Sequence, residues 1–266
     1  MRQVKIPVYV VSLRQDQERR AVLRAQFGNE YGSFSIIDAT DRVDDSISKI
    51  ISKDLLFGYG SGKEMSRAEM ACSLSHVRAL GGFLATGKDR CIVLEDDVLG
   101  CPEDLSMARD VATSVCGDGV VLLGGQESLR TNRHLWGRAT EVDGVFEIPG
   151  LARRFFLRTC CYAISSQAAA EIVRRQRLAL RRADDWRRIL PRDCPMHFVK
   201  IFRHPDLLGH SHIERDRQNR GELGSWKRMF ADGLRETLVH NFTKLAFATL
   251  GPATGLERIE PSSRKT

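Results

Sequence analysis

The sequence predicts an open α/β sheet in one main domain. Three observations point there: short β-branched apolar runs of strand length, helical patterns between them, and no internal repeat or low-complexity block.

The first run, Val8-Tyr9-Val10-Val11, is apolar at successive positions, as in a parallel strand buried on both faces. Ser12-Leu13-Arg14 ends it. Asp16 to Phe27 then places Val22, Leu23 and Phe27 at helical spacing among many charges, and Ser33 to Ile37 reads as a second strand closed by Asp38-Ala39-Thr40. Residues 41–63 are polar and mixed, ending in Gly58-Tyr59-Gly60-Ser61-Gly62. Ser66 to Ala85 has the pattern of a helix, with Ser66 and Glu69 spaced as a capping box. Cys91-Ile92-Val93-Leu94 is a buried strand that runs directly into Glu95-Asp96-Asp97. Val120 to Leu123 is another, stopped by Gly124-Gly125. Residues 126–150 read as loops or short strands, Thr159 to Ile164 as a strand, Ser166 to Val173 as a helix and Phe198 to Ile201 as a late strand before a polar loop. The last pattern, Ser225 to Leu250, sets Leu234, Leu238, Phe242 and Leu245 among Lys227, Arg228, Arg235 and Lys244, which suits a packing helix or one lying on a membrane surface. The expected organisation is a domain over 1–220 and a helical extension over 221–266.

The 266 residues are 42% hydrophobic and 28% charged, which excludes a disordered, collagen-like or coiled-coil chain. No run approaches the ~18 apolar residues of a spanning helix. Met1-Arg2-Gln3-Val4-Lys5 leads into a short apolar run with no cleavage site, so export is not expected. The seven cysteines are odd in number and scattered without a C-x-x-C pair. They read as free thiols in a reducing cytosol, neither a disulfide framework nor a zinc site. Charge is uneven: residues 1–133 carry 17 Lys and Arg against 19 Asp and Glu, whereas 134–266 carry 24 against 15. That basic half suits an anionic partner, or a solvated arginine-rich helix face.

Glu95-Asp96-Asp97 follows a strand, where ligands of open α/β sheets collect. Three adjacent carboxylates repel one another unless a cation neutralises them, and hard oxygen donors suit Mg²⁺ or Mn²⁺, which bridge to diphosphates. Acidic residues also end many strands that hold no ion. The strand end Val11 to Arg14, with Arg19-Arg20, offers backbone groups to a nucleoside and guanidinium to a phosphate. No G-x-G-x-x-G or P-loop occurs. Ser75 and His76 are adjacent on a helix and point about 100° apart, a poor nucleophile–base pair, and without a G-x-S-x-G elbow a serine hydrolase is not expected. Asp184 and Asp185, before Trp186, read either as a general base or as ion-pair partners of Arg181, Arg182, Arg187 or Arg188. His204, His210 and His212, near Asp206, Glu214 and Asp216, lack zinc-finger spacing and read as a solvated loop or as a source of one metal ligand.

The order of these motifs is more specific than any one of them. V-x-V-V-S-L-R-x-D-x-E-R-R, I-I-D-A, S-R-A-E-M-A-C-S-L-S-H, I-V-L-E-D-D-V, T-C-C-Y-A-I-S-S-Q-A-A and A-D-D-W follow one another over roughly residues 6–215. In that order they resemble glycosyltransferase family 25, the bacterial lipopolysaccharide and lipooligosaccharide galactosyltransferases and the collagen galactosyltransferases. The resemblance implies a GT-A-type, Rossmann-like fold, with an open, mostly parallel sheet flanked by helices. It also implies inverting transfer of a hexose from a UDP-sugar, with UDP-galactose favoured, and a Mn²⁺ or Mg²⁺ ion. By position it assigns Glu95 and Asp97 to the metal, with His212 as the nominated third ligand. Ser12, Leu13, Arg14, Arg19, Asp38, Ser75, His76 and Asp96 fall to the nucleotide sugar, and Asp185 or Asp184 to the base. Met70 or Ala71 stands where the family usually shows a glycine before Cys72, and Val77-Arg78-Ala79-Leu80 lacks the usual aromatic. The implied acceptor is a lipid-linked or phosphorylated saccharide met at the cytoplasmic face of the inner membrane, with no nucleic acid involved. Two other readings use the same features: a metal-dependent phosphoryl-transfer enzyme, and a non-catalytic module binding nucleic acid or anionic lipid.

Overall fold

The computed structural model describes residues 6–45, 47, 65–205 and 232–260. Its centre is a nine-stranded mixed sheet in the order β2-β1-β3-β7-β4-β8-β6-β5-β9. The strands are β1 (Val8–Ser12), β2 (Ser35–Asp38), β3 (Arg90–Glu95), β4 (Val120–Gly124), β5 (Trp136–Ala139), β6 (Phe146–Glu147), β7 (Cys161–Ser165), β8 (Met196–Phe202) and β9 (Glu257–Arg258). The helices are α1 (Gln17–Phe27), α2 (Arg67–Leu84), α3 (Pro102–Ser114), α4 (Ser166–Leu178), α5 (Trp186–Ile189) and α6 (Asp232–Leu250).

β1 pairs parallel with β2 and β3, and β4 with β8; the remaining pairings are antiparallel. Following those pairings, six strands point one way and β6, β7 and β9 the other. The predicted mostly parallel sheet therefore holds in strand direction, with one consequential departure. β7 enters antiparallel between β3 and β4, so its beginning lies at the edge where they end; the register sets Leu94 opposite Cys161.

Both faces of the central strands are buried, which is why they read as unbroken apolar runs. Along β1, Val8 and Val10 face α1 and α3, while Tyr9 and Val11 face α2 and α4, the two-residue alternation of a strand. Ser66 caps α2 as its spacing predicts: its hydroxyl accepts from the Glu69 backbone N–H, and the Glu69 carboxylate accepts from the Ser66 backbone N–H. α3 has no counterpart among the predicted elements. Its buried residues are Leu105, Ala108 and Ala112, so its inner face is mostly small and carries little hydrophobic signal; Pro102 at its start and the Asp104 carboxylate bonded to the Cys101 N–H fix its beginning.

Gly124 and Gly125, both at positive φ, end β4 where the chain runs against the Phe202 backbone and the Cys160 side chain, a turn that a Cβ would obstruct. The C-terminal segment adds β9 to the sheet edge and buries Phe247, Leu256 and Ile259 in the α2–α4 core. All seven cysteines are free.

Candidate active site

The ends of β1, β2, β3, β4 and β8 and the start of β7 converge on one edge, where a cleft of about 330 Å³ opens. The β1–α1 turn, residues 39–43, one face of α2 and the acidic motif line it. On α2 the lining residues Ala68, Ala71, Cys72, Ser75 and His76 recur at helical spacing and so share a face.

The β1–α1 turn is stapled by Arg20. Its guanidinium donates to Ser12 Oγ at 2.9 Å, to the Ser12 and Leu13 carbonyls at 3.2 Å, and to Asp38 Oδ1 at 2.9 Å. This pairing and the neighbouring arginine charges hold the Asp38 carboxyl below its ordinary value. Arg20 is thereby occupied within the fold, and Arg19, one residue earlier in the first turn of α1, faces the cleft. Its guanidinium lies 2.9 Å from Asp96 Oδ1 and 3.5 Å from Asp97 Oδ2.

The three acids of the motif take different partners. Glu95 Oε1 accepts from the Thr159 hydroxyl at 2.6 Å and lies 3.1 Å from His76 Nε2. His76 Nδ1 is 3.0 Å from the buried Tyr162 hydroxyl. A carboxylate only accepts, so the ring donates through Nε2 and accepts a hydrogen bond from the tyrosine hydroxyl at Nδ1. Asp96 is buried, which raises its carboxyl despite bonds from Arg19 and Ser12. Asp97 is buried too, but there the bond and charge of His204 together with Arg19 outweigh desolvation and hold the carboxyl low. His204 Nε2 stands 3.6 Å from Asp97 Oδ2, and Asp97 raises the imidazole pKa against the opposing effect of burial. The remaining oxygen, Asp97 Oδ1, is buried and has no hydrogen-bond partner among the described residues.

An orphaned buried carboxylate oxygen beside an imidazole is a donor set that fits a divalent cation such as Mn²⁺. The sequence pairs Asp97 with Glu95 and His212 for this role. In the structure Glu95 turns toward α2, His212 lies outside the described residues, and the histidine beside Asp97 is His204. Its position follows from paired backbone hydrogen bonds between Leu99 and Arg203, which clamp the end of β3 to the end of β8. That contact crosses the sheet and leaves no mark in the spacing of the sequence.

Ser12, Leu13, Arg19, Ser75, His76, Glu95, Asp96 and Asp97 are thus brought together around the cleft, whereas Arg14, Asp38, Asp184 and Asp185 are not among its lining residues. Ser75 is committed to the backbone: its hydroxyl donates to the Ala71 carbonyl and accepts from the Thr40 N–H. Asp185 begins α5 and pairs with Arg188 at 3.3 Å. Asp184 accepts from the N–H of Arg158, a non-glycine residue at φ +66°, and its charge helps burial to raise the Cys72 thiol. Sequence reasoning missed Thr159 and Tyr162, which reach the site only because β7 runs antiparallel, and Cys72, whose place four residues before His76 was the available signal.

The "Probable inactive glycosyltransferase 25 family member 3" of Rattus norvegicus is 35% identical over 96 residues, 34% of this chain and 17% of that protein. The Homo sapiens "Inactive glycosyltransferase 25 family member 3" is 33% identical over 96 residues, 34% of this chain and 16% of that protein. The matched stretch is thus about a sixth of the length of these relatives. Among solved structures, the mannose-1-phosphate geranyltransferase from Thermus thermophilus aligns over 74% of this chain and 59% of its own at 14% identity, with a TM-score of 0.35. Over residues 5–112, from the first strand through the acidic motif, this chain matches glycosyltransferase family 25, described as an LPS biosynthesis protein family.

Proposed function

We propose that the protein is an inverting glycosyltransferase that moves a hexose, galactose in the first instance, from a UDP-sugar to a surface-glycan acceptor. The observation that carries this reading is the unpartnered Asp97 Oδ1, buried in a cleft at the strand ends and flanked by Arg19 and His204. Asp97 and His204 would hold a divalent cation there, which when bound neutralises charge on the departing diphosphate. Arg19, now on Asp96 and Asp97, is the guanidinium within reach of that phosphate, where preorganised positive charge stabilises the leaving group. The Ser12–Leu13 turn, fixed by Arg20, forms the nucleoside end. His76, oriented by Tyr162, holds Glu95 at the cleft wall.

The acceptor hydroxyl needs a carboxylate to take its proton as it attacks the face opposite the leaving group. We assign Asp184 to this role: it accepts the Arg158 N–H behind the cleft wall, and its charge reaches the cleft-lining Cys72. A phosphorylated or lipid-linked acceptor suits the basic C-terminal half. Peripheral contact with the cytoplasmic face of a membrane is supported by Leu238, Phe242 and Leu245, which form one exposed stripe on α6. Among the described residues no helix is long and apolar enough to cross a membrane.

The test is a screen of nucleotide sugars with a truncated lipopolysaccharide acceptor, with and without Mn²⁺. Transfer from UDP-galactose, inverted at the anomeric carbon and dependent on the ion, is the expected result. Failure of every donor to be consumed would overturn the reading. A second reading, non-catalytic recognition of a nucleotide sugar, draws support from the mammalian relatives named inactive. Calorimetric binding of UDP-galactose without transfer to any acceptor would favour it.

A further inference from the structure

Cys72, His76 and Glu95 each present a donor atom to the same point, and these atoms lie within 4.8 Å of one another. We propose that the three side chains form a second cation site in the cleft, suited to a borderline-soft divalent ion of the zinc class and separate from the Asp97–His204 corner.

Helix geometry sets up the site. Cys72 and His76 are four residues apart on α2 and project from one face, and Glu95 meets them from the end of β3. Around a tetrahedral zinc ion the sulfur, nitrogen and oxygen donors lie about 3.3–3.8 Å apart, from bond lengths of roughly 2.0–2.3 Å. The His76–Glu95 separation of 3.1 Å is already close to that, and the Cys72 sulfur lies within 4.8 Å of both donor atoms. The donor types discriminate between ions: thiolate and imidazole favour zinc over magnesium or manganese, whereas carboxylate oxygen alone does not.

Two further groups orient the ligands as outer-shell partners do in zinc sites. The Thr159 hydroxyl donates to Glu95 Oε1, and the Tyr162 hydroxyl adjoins His76 Nδ1. Coordination through Nε2 moves the ring proton to Nδ1, where the tyrosine oxygen accepts it, and the Cys72 thiol gives its proton to solvent. All three ligands line the cleft, so the fourth position opens toward it. Three protein ligands and one open position are the arrangement of reactive rather than purely structural zinc sites. The sequence conceals this set because two ligands share a helix turn and the third comes from a strand end.

Cobalt(II) added to the full-length, metal-stripped protein tests the proposal without any nucleotide sugar, so it stands or falls independently of the transfer reading. A sulfur-to-cobalt charge-transfer band in the near ultraviolet is expected, displaced by zinc. It should be absent in Cys72→Ser, with cobalt affinity lowered roughly tenfold or more in His76→Gln and Glu95→Gln and unchanged in His204→Gln. Cobalt at the Asp97–His204 corner gives no such band, having no sulfur. If Cys72→Ser fails to fold, alkylation of Cys72 in the unmodified chain is read instead, and zinc should slow it at least tenfold. A folded protein without the band, a band that survives Cys72→Ser, or alkylation indifferent to zinc would overturn the proposal.

Discussion

His204 Nε2 stands 3.6 Å from Asp97 Oδ2, an ion pair that ties the segment after β8 to the end of β3. Each partner shifts the other in the sense that favours charge, the imidazole upward and the carboxyl downward. The pair therefore holds the acidic motif in place while leaving Asp97 Oδ1 free.

Asp97→Asn keeps the size of the side chain and removes its charge. Transfer from the donor is expected to fall by roughly 10²-fold or more, the scale of losing one preorganised electrostatic contact. Its dependence on Mn²⁺ should vanish with it. Steady-state rates across a Mn²⁺ titration, with circular dichroism to confirm the fold, check this.

The same pair makes a pH prediction for metal-free protein. Because the folded-state pKa of His204 is raised, its contribution to stability is full below the unfolded value near 6.5 and is lost as pH rises through the folded value. Because that of Asp97 is lowered, its contribution is present above the unfolded value near 3.9 and is lost as pH falls through the folded one. Melting temperatures measured in EDTA should therefore decline as pH rises from about 6.5, and His204→Gln should flatten that decline. An identical slope in both proteins would count against the pairing.

Arg19→Ala removes a charge-assisted bond to Asp96 and the guanidinium assigned to the diphosphate. Such bonds contribute about 1.5–3 kcal/mol, so the KM for the nucleotide sugar should rise roughly 10- to 100-fold. Stability should also fall by about 1–3 kcal/mol, because the buried Asp96 loses its charged partner. Arg19→Lys should restore most of the stability and less of the affinity, since lysine cannot make the planar fork. Chemical denaturation and initial-rate kinetics separate the two effects.

Trp186 is 1% exposed, and its ring meets Tyr162 edge-on at 5.5 Å. Trp186→Ala should cost about 3–5 kcal/mol by the cavity it leaves. It should also lower activity through Tyr162, which orients His76. Trp186→Phe should cost much less, because the indole N–H it removes has no partner among the described residues. Urea denaturation of both variants tests the ranking.

Ser66→Ala removes the hydroxyl that accepts the Glu69 N–H at the start of α2. A loss of about 1 kcal/mol is expected, with little change in transfer, because Cys72, Ser75 and His76 lie about two to three turns further along the helix. A large kinetic effect would show that fraying of this end reaches His76.

Much of the fold could be read from local pattern. The strands beginning at Val8, Cys91 and Val120 announce themselves because burial on both faces demands unbroken apolar runs, and the α2 cap because Ser66 and Glu69 satisfy backbone groups three residues apart. α3 escaped because alanines pack its inner face. The candidate site divides in the same way. Ser12 and Glu95 to Asp97 stand at strand ends, and Arg19 in the first turn of the helix that follows β1, where chain order alone places them at a ligand edge.

What the sequence by itself determined is this edge: its acids, its arginines and the helix bearing Cys72, Ser75 and His76, all fixed by periodicity along the chain. Tertiary structure alone decided the pairing across it. The antiparallel entry of β7 carried Thr159 and Tyr162 to Glu95 and His76, and the Leu99–Arg203 bridge set His204 beside Asp97. Local spacing encodes which face a side chain takes. Partners distant in the chain meet only through strand direction and sheet order, which the whole core settles together.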